Sequence, residues 1–310
     1  VRDAVVDYVK RWSGRTGLPE RFFLSRLGIT RRRIADWRKR YGLSNRHNGH
    51  VPRTNQLEEW EREFIVDYYL RHPLEGYRRI TYMMIDEDAV ATTPATVYRV
   101  LKRAGVMRKW NGKTSKKGDG FDQPTRPHAH WHTDVSYINI SGTFYYLCAV
   151  LDGYSRYVVH WEIREKMETS DIEIIQQRAL EKFPGEKTRL ISDNGPQFIS
   201  RGFKDFVRIS GLDHVRTSPF YPQSNGKIER FHGTYKRECV RPKTPLSLED
   251  ARRVTEAYVD HYNNVRLHGA IKYVTPGVKL EGREMEIFET RKRRLKEAQE
   301  RRKSICRETA

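Results

Sequence analysis

The sequence predicts an α/β protein. A mixed five-stranded sheet flanked by helices occupies residues 126–275, all-α units precede it, and a basic helical tail follows. Three observations carry this. Residues 130–163 read as three strand-forming runs divided by short turns. Residues 170–230 alternate helical and strand patterns, which is how a sheet acquires parallel strands and flanking helices. The first 107 residues instead space their apolar positions three and four apart, with helix starts and stops.

The first segment covers residues 1–50. FFLSRLGITRRRIADWRKRYG gives a helix, a turn at Leu27-Gly28-Ile29, and a second helix that Thr30 can cap. Ile34 and Trp37 are three apart and can face inward, while Arg31, Arg32, Arg33, Arg38, Lys39 and Arg40 surround them. A short glycine-containing turn before a basic helix is the helix-turn-helix pattern, so these six residues are candidate DNA contacts. An ordinary surface helix pair has the same pattern.

Residues 51–110 predict a second helical DNA-binding unit. Leu57, Trp60, Phe64, Ile65 and Tyr68 keep helical spacing up to a stop at His72-Pro73. A shorter helix follows Gly76. In ATTPATVYRVLKRAGV, Thr93 can cap, Pro94 suits the first helical position and Gly105 ends the helix. Val97, Val100, Leu101 and Ala104 form its apolar face; Arg99, Lys102 and Arg103 lie elsewhere and are candidate DNA contacts. A connecting domain with a solvated basic face is the other reading. Residues 111–125, with NGKTSKKGDG, read as a basic linker.

The sheet follows. HWHTDVSYINI alternates, Ser141-Gly142 turns, and TFYYLCAVLD is nearly continuously apolar, as a central strand is. Asp152-Gly153 is a second turn, with Asp152 assigned to the turn rather than to chemistry. RYVVHWEI is the third strand. A helix over about 170–183, a strand over 188–193, a helix over 199–210, a short strand over 214–217 and a long helix from about Ser224 complete the region. Leu248, Ala251, Val254, Tyr258 and Tyr262 again have helical spacing. Over 276–310 the tail alternates acidic and basic residues from Arg283, with RKRR at 291–294; it predicts a long helix whose basic face is solvated or tracks DNA.

Composition narrows the partner. The 310 residues are 37% hydrophobic and 32% charged, with a formal net charge of +19. That excess predicts a polyanionic partner, nucleic acid. Cys148, Cys239 and Cys306 are far apart, which excludes a disulfide framework and suits a reducing compartment. No apolar run reaches the roughly 20 residues that span a bilayer, and no secretory pattern opens the sequence. The expected setting is cytoplasmic, without a membrane partner.

Three carboxylates stand at informative positions. Asp134 is midway along the first strand, Asp193 ends the strand in ISDNGPQF, and Glu229 lies on the long helix within YPQSNGKIERFH. Thirty-five residues separate Asp193 from Glu229, enough for a helix, a strand and a loop that return the chain to the sheet. Mg²⁺ prefers oxygen ligands, and two such ions about 3.5–4 Å apart can serve the attacking and leaving oxygens of an in-line displacement at phosphorus. Clustered carboxylates without a cation repel and bind protons. Histidine and cysteine in a tight group would point to zinc, and no such group is present.

Asp134 in WHTDVSYI, Asp193 in ISDNGPQF, and Glu229 in YPQSNGKIERFH with Lys236 seven residues on resemble the acidic triad of the retroviral-integrase (DDE) superfamily. LEGYRRI, ahead of the last helix of the second helical unit, and YNNVRLHGAI downstream resemble bacterial insertion-sequence transposases of the insertion-sequence-three type. The resemblance implies a ribonuclease-H-like core, Mg²⁺ or Mn²⁺ as a pair of ions on Asp134, Asp193 and Glu229, and a place in the bacterial nucleoid. It implies cutting at transposon ends and joining of a 3′-hydroxyl to a second strand. Double-stranded DNA, as terminal inverted repeats and target, would be the partner, and a homodimer or larger assembly would serve two ends. It does not extend to the zinc-binding His/Cys domain of retroviral integrases. A DNA-binding regulator with an idle core, or a nuclease that cuts without joining, stays open as an alternative.

Residues around the acids have narrower assignments. Lys227, Arg230 and Lys236 are candidate phosphate contacts. Glu229, His232 and Lys236 share one helix face, so His232 is either a group that orients an acid or an ordinary core histidine. Asn194 can shape the strand end or touch DNA. Gln223, Ser224, Asn225 and Gly226 form a loop that caps the helix or meets the scissile strand. His128, His130 and His132 alternate toward Asp134; His132 is expected near the acids and the other two in structural roles.

Overall fold

The computed structural model describes residues 2–43, 56–107, 123–217 and 225–308. The polar run NGKTSKKGDG and the residues Gln223 and Ser224 lie outside the described residues. The chain divides into two compact units, one within Val1–Thr54 and one within Asn55–Arg307.

The smaller unit has three helices: α1 (Arg2–Thr16), α2 (Glu20–Arg26) and α3 (Arg31–Lys39). Val6, Val9, Phe23, Leu24 and Ile34 form its core, with Trp37 packed against them. The turn between α2 and α3 passes through Gly28 at φ +64°, where glycine carries no Cβ penalty. Thr30 caps α3 by accepting from the Arg33 N–H.

The larger unit opens with α4 (Glu59–Arg71), α5 (Tyr77–Asp86) and α6 (Pro94–Arg103). Ile65, Tyr68, Ile80, Met84, Val97 and Leu101 pack between them. Thr93 caps α6 and Pro94 occupies its first turn. The sheet follows: β1 (His130–Ile140), β2 (Thr143–Asp152), β3 (Val158–Arg164), α7 (Thr169–Lys182), β4 (Arg189–Ser192), α8 (Pro196–Ile199), α9 (Arg201–Ile209) and β5 (Asp213–Arg216). Strand order is β3-β2-β1-β4-β5. β1, β2 and β3 are antiparallel, whereas β4 pairs parallel to β1 and β5 parallel to β4. This is the ribonuclease-H-like mixed sheet that the sequence predicts.

Alternation along β1 sorts its side chains onto two covered faces. Trp131, Cys148, Val150 and Leu190 pack against α7 and α9. Ile138, Ile140, Leu147, Ala149 and Leu151 face α10 (Gly226–Tyr235), which contributes Ile228, Phe231 and Tyr235. The helix runs on through a π turn at Lys236–Val240 into the short α11 (Arg241–Lys243), features no sequence pattern announced. α12 (Leu248–Asn264) closes the same face. Asn263, within YNNVRLHGAI, exchanges two hydrogen bonds with the Val158 backbone (2.9 and 3.1 Å) and so acts as a strand neighbour on the open edge of β3.

After α13 (Pro276–Leu280) comes the long α14 (Glu284–Glu308). Its basic residues divide between two faces: Lys292, Arg293 and Lys296 are solvated, as expected of the tail, whereas others turn inward to partners that the sequence pattern did not announce. Arg302 is buried and forks onto Glu61, with bonds of 2.8 and 2.9 Å, and also donates to the Ala91 carbonyl. Arg291 does the same to Asp86 and adds the Tyr273 carbonyl. Arg294 donates to the carbonyls of Ile85 and Asp86, capping the C-terminal end of α5. Leu295 and Ala298 pack on Ile85, Ala91 and Tyr82. The tail is therefore a strap across the helical region, because acids far upstream in sequence complement its arginines.

Candidate active site

Three elements bring the three carboxylates to one end of the sheet. Asp134 projects from β1 on the α10 face, since it is in phase with Ile138 and Ile140. Asp193 is the first residue past β4. Its Oδ1 accepts from the Gly195 N–H at 2.9 Å, and a Cβ on Gly195 would lie 3.0 Å from that oxygen, so the glycine permits the turn. Glu229 is in the first turn of α10.

Their electrostatics show the proximity. Burial pushes the Asp193 carboxyl above its ordinary value, and the Asp134 charge adds to this against the Gly195 hydrogen bond. Burial likewise raises Glu229, reinforced by Asp134 and Asp193 and opposed by His232. A cation would relieve that repulsion, and an all-oxygen donor set suits a hard divalent ion. The carboxylates do not yet meet at a point: among the described residues, no group of three His, Cys, Asp or Glu stands ready to hold a metal.

Neighbouring polar groups hold these elements in place. His232 is buried and sets its Nδ1 3.4 Å from Asp134 Oδ2. Asn225 precedes α10 but makes no side-chain cap; its amide donates to the Thr133 carbonyl at 3.4 Å, linking the helix of Glu229 to the strand of Asp134. Thr133 is fixed from below by buried Gln176 of α7 at 3.0 Å. Asn194 donates to the Thr217 carbonyl at 2.7 Å and ties the ends of β4 and β5 together, a structural bond that the turn pattern allowed for. Asn225 and Gln176 were not singled out as orienting groups, because their partners are distant in sequence and they carry no motif.

The other predicted residues around the acids have varied surroundings. Lys227 is half-buried and donates to the Gly153 carbonyl at 3.0 Å; burial and then the Arg156 charge bring its pKa down to about 7. Arg230 is exposed beside Glu229. Lys236 begins the π turn within the field of Asp134. His132 is buried, with burial, Lys227 and Arg156 bringing it down to about 3, so it is a neutral imidazole. His128 is not on the strand at all: it has φ +58°, accepts from the Trp131 indole N–H and stacks near Phe183. The alternation HxHxHxD runs past the true start of β1, which is why it misled. Asp152 is fully buried and caps the loop through His128, Ser155 N and Ser155 Oγ, as its turn assignment predicts.

Among the helical candidates, Arg31, Arg32, Arg33, Arg38 and Lys39 are exposed on α3 and Arg40 is half-exposed at its end. Arg38 pairs with Glu20, and Arg33 lies over the Trp37 ring. Arg99, Lys102 and Arg103 are exposed on α6. A groove of about 700 Å³ between α4 and α6 is lined by Arg99 and Arg103 together with Glu59, Glu63 and Asp67, so its charge is mixed.

Comparison with known proteins agrees with this architecture. A profile described as an integrase core domain matches residues 124–222, and a second with the same description matches 210–276. The chain is 26% identical over 233 residues to the transposase for insertion sequence element IS629 of Shigella sonnei, covering 71% of this chain and 79% of that one. It is 25% identical to a protein named as the transposase InsK of IS150 in Escherichia coli K12, covering 65% and 75%. Among solved structures, the HTLV-2 integrase catalytic core domain in complex with magnesium matches at TM-score 0.39 and 20% identity, over 50% of this chain and 98% of that one.

Proposed function

We propose that the chain is a bacterial insertion-sequence transposase of the retroviral-integrase superfamily that binds transposon ends, cleaves DNA strands and joins a 3′-hydroxyl to a second strand. The observation that supports this reading is the placement of Asp134 on β1, Asp193 just past β4 and Glu229 in the first turn of α10, with Asp193 in the field of Asp134 and Glu229 in the field of both. These three residues would hold divalent metal, Mg²⁺ or Mn²⁺. When bound, the metal supplies positive charge for the attacking and leaving oxygens at phosphorus.

The chain's own groups supply position. His232 steadies Asp134, Asn225 fixes the approach of α10 to β1, and Lys236 offers charge to a phosphate beside Asp134. No side chain is needed as a covalent nucleophile, since in-line phosphoryl transfer depends on alignment and charge. The basic faces of α3 and α6 are the proposed readers of the element ends, with residues 1–50 and 51–110 as DNA-binding units and 126–275 as the catalytic core. Two ends require two sites, hence a dimer or larger assembly on DNA in the bacterial cytoplasm. No described helix is long and apolar enough to cross a membrane.

Asp193→Asn tests the assignment. The carboxamide keeps the Gly195 hydrogen bond but loses the charge. Cleavage and joining should fall by about three orders of magnitude or more while binding of the end duplex persists, a loss of roughly 4 kcal/mol of transition-state stabilisation. Loss of DNA binding in step with activity would make the acid structural.

A further inference from the structure

The turn Asp152-Gly153-Tyr154-Ser155-Arg156 is over-determined for a simple connection between β2 and β3. Asp152 Oδ2 accepts from Ser155 N at 2.7 Å and Ser155 Oγ at 2.6 Å, and its Oδ1 accepts from His128 N at 2.9 Å. Arg156 N bonds back to the Asp152 carbonyl, and Asp152 N to the Tyr157 carbonyl. These bonds hold Arg156 at φ +69°, the left-handed region that a side chain with a Cβ avoids. Strain of this kind persists where the surroundings enforce it, and it clusters at binding sites.

The guanidinium so presented has no adequate counter-charge. Its Nε is buried without a hydrogen-bond partner. The nearest carboxylate, Asp152, already has both oxygens occupied by the turn. The other charged groups in its field are cationic: Lys227 and Arg230 of α10, the first of them anchored on the Gly153 carbonyl 3.0 Å away. Burial and Arg230 depress the Arg156 guanidinium, against Tyr262 and Asp152. Asp152 is the one carboxylate in the field of both Arg156 and Lys227, and its oxygens are committed to the turn, so these partly buried like charges are costly unless a further anion arrives. The opening turn of α10, also without a side-chain cap, adds the positive end of a helix dipole.

We propose that Arg156, with Lys227 and Arg230, forms an anion site for one backbone phosphate of the DNA strand at the N-terminal end of α10. This rests on the reading that the chain binds and joins DNA, and it deepens that reading by naming the residue that seats the strand. Lys227 has three donors, so its bond to Gly153 leaves two for the phosphate. Arg156 offers a planar fork suited to phosphate oxygens. The strained turn then keeps an arginine aimed at the strand rather than free in solvent.

Arg156→Gly is the informative variant, because glycine takes φ +69° freely and the turn is kept by Asp152 and Ser155. Arg156→Gln is its companion. Binding of a labelled precut end duplex, in chelator, is followed against salt concentration. Each variant should retain its melting temperature, bind roughly tenfold more weakly at about 0.1 M salt, and show a salt slope smaller by about one, the signature of one lost phosphate contact. A single uncharged methylphosphonate walked along the strand near the 3′ end identifies the partner: at one position wild type should lose the same factor and Arg156→Gly nothing further. Unchanged affinity and slope in folded variants would overturn the anion site and leave the transposase reading standing. Stabilisation of wild type by inorganic phosphate alone, with DNA binding insensitive to Arg156, would overturn it equally. Failure of wild type to join donor DNA at all would instead count against the functional reading.

Discussion

α3 and α14 carry almost the same words in sequence, RRR and RKRR, yet all three arginines of the first stay exposed, whereas Arg291 and Arg294 of the second turn inward and only Lys292 and Arg293 stay exposed. On α3, Arg31, Arg32 and Arg33 stay exposed around a small core. On α14, Arg291 and Arg302 are buried in bidentate pairs with Asp86 and Glu61, and Arg294 caps a helix end. A charge run thus says how much charge a helix has and nothing about where it goes. The outcome depends on whether buried acids elsewhere match the register. Glu61 is fully buried inside α4, with no role in that helix's own core except the capping box; its presence was the signal that a cation had to arrive from elsewhere.

The comparison can be broken most sharply at Arg302. Arg302→Ala leaves buried Glu61 with only the exposed Arg301 to meet it, so unfolding free energy should drop by about 2–4 kcal/mol, measured by denaturant titration. Arg32→Ala on α3 should leave stability within about 0.5 kcal/mol. A large loss at Arg32 or none at Arg302 would erase the distinction. Replacing both partners, Glu61→Leu with Arg302→Met, should recover most of the loss, because an apolar pair of similar volume carries no desolvation cost.

Arg291→Ala comes next. Asp86 is partly solvated and can recruit water, so about 1.5–3 kcal/mol is expected in the same titration. A smaller effect belongs to Glu162, which is gripped by His160, Arg164 and Arg178. Burial raises its carboxyl, but these partners prevail and bring it down to about 2. A depressed carboxylate stabilises the fold above its unfolded value of about 4.3 and loses that contribution as pH falls toward 2. Stability should therefore decline across that window, and Glu162→Gln should flatten the decline. An identical acid limb in the variant would mean the ion pairs contribute nothing. The smallest effect is on the α3 side: Arg32→Ala should lower the salt slope of DNA binding by about one without touching the fold.

Much of the fold was legible because its signals are local. Caps at Thr30 and Thr93, the stop at His72-Pro73, the turns at Ser141-Gly142 and Asp152-Gly153, and the strand ending at Asp193 all rest on backbone chemistry within a few residues. The illegible parts depend on distant partners. Arg302 meets Glu61 across 241 positions, Asn225 meets Thr133 across 92, and Asn263 meets Val158 across 105. The π turn at Lys236–Val240 leaves no periodic trace, since it inserts a single residue into a helix that continues. Lys227 looked like a surface cation beside an acid, and only the fold reveals the Gly153 carbonyl in front of it. The same distinction separates the acids: their positions at a strand middle, a strand end and a helix start could be read, whereas the groups that steady them could not.

The most direct test of the account joins DNA in a tube. Purified protein is mixed with a labelled precut donor end, plasmid and Mg²⁺, beside a Glu229→Gln variant. The account predicts donor covalently joined to plasmid by the normal protein alone, with both proteins binding the donor. Equal joining by Glu229→Gln would contradict it, because a site that works without the α10 carboxylate is not the one formed by Asp134, Asp193 and Glu229.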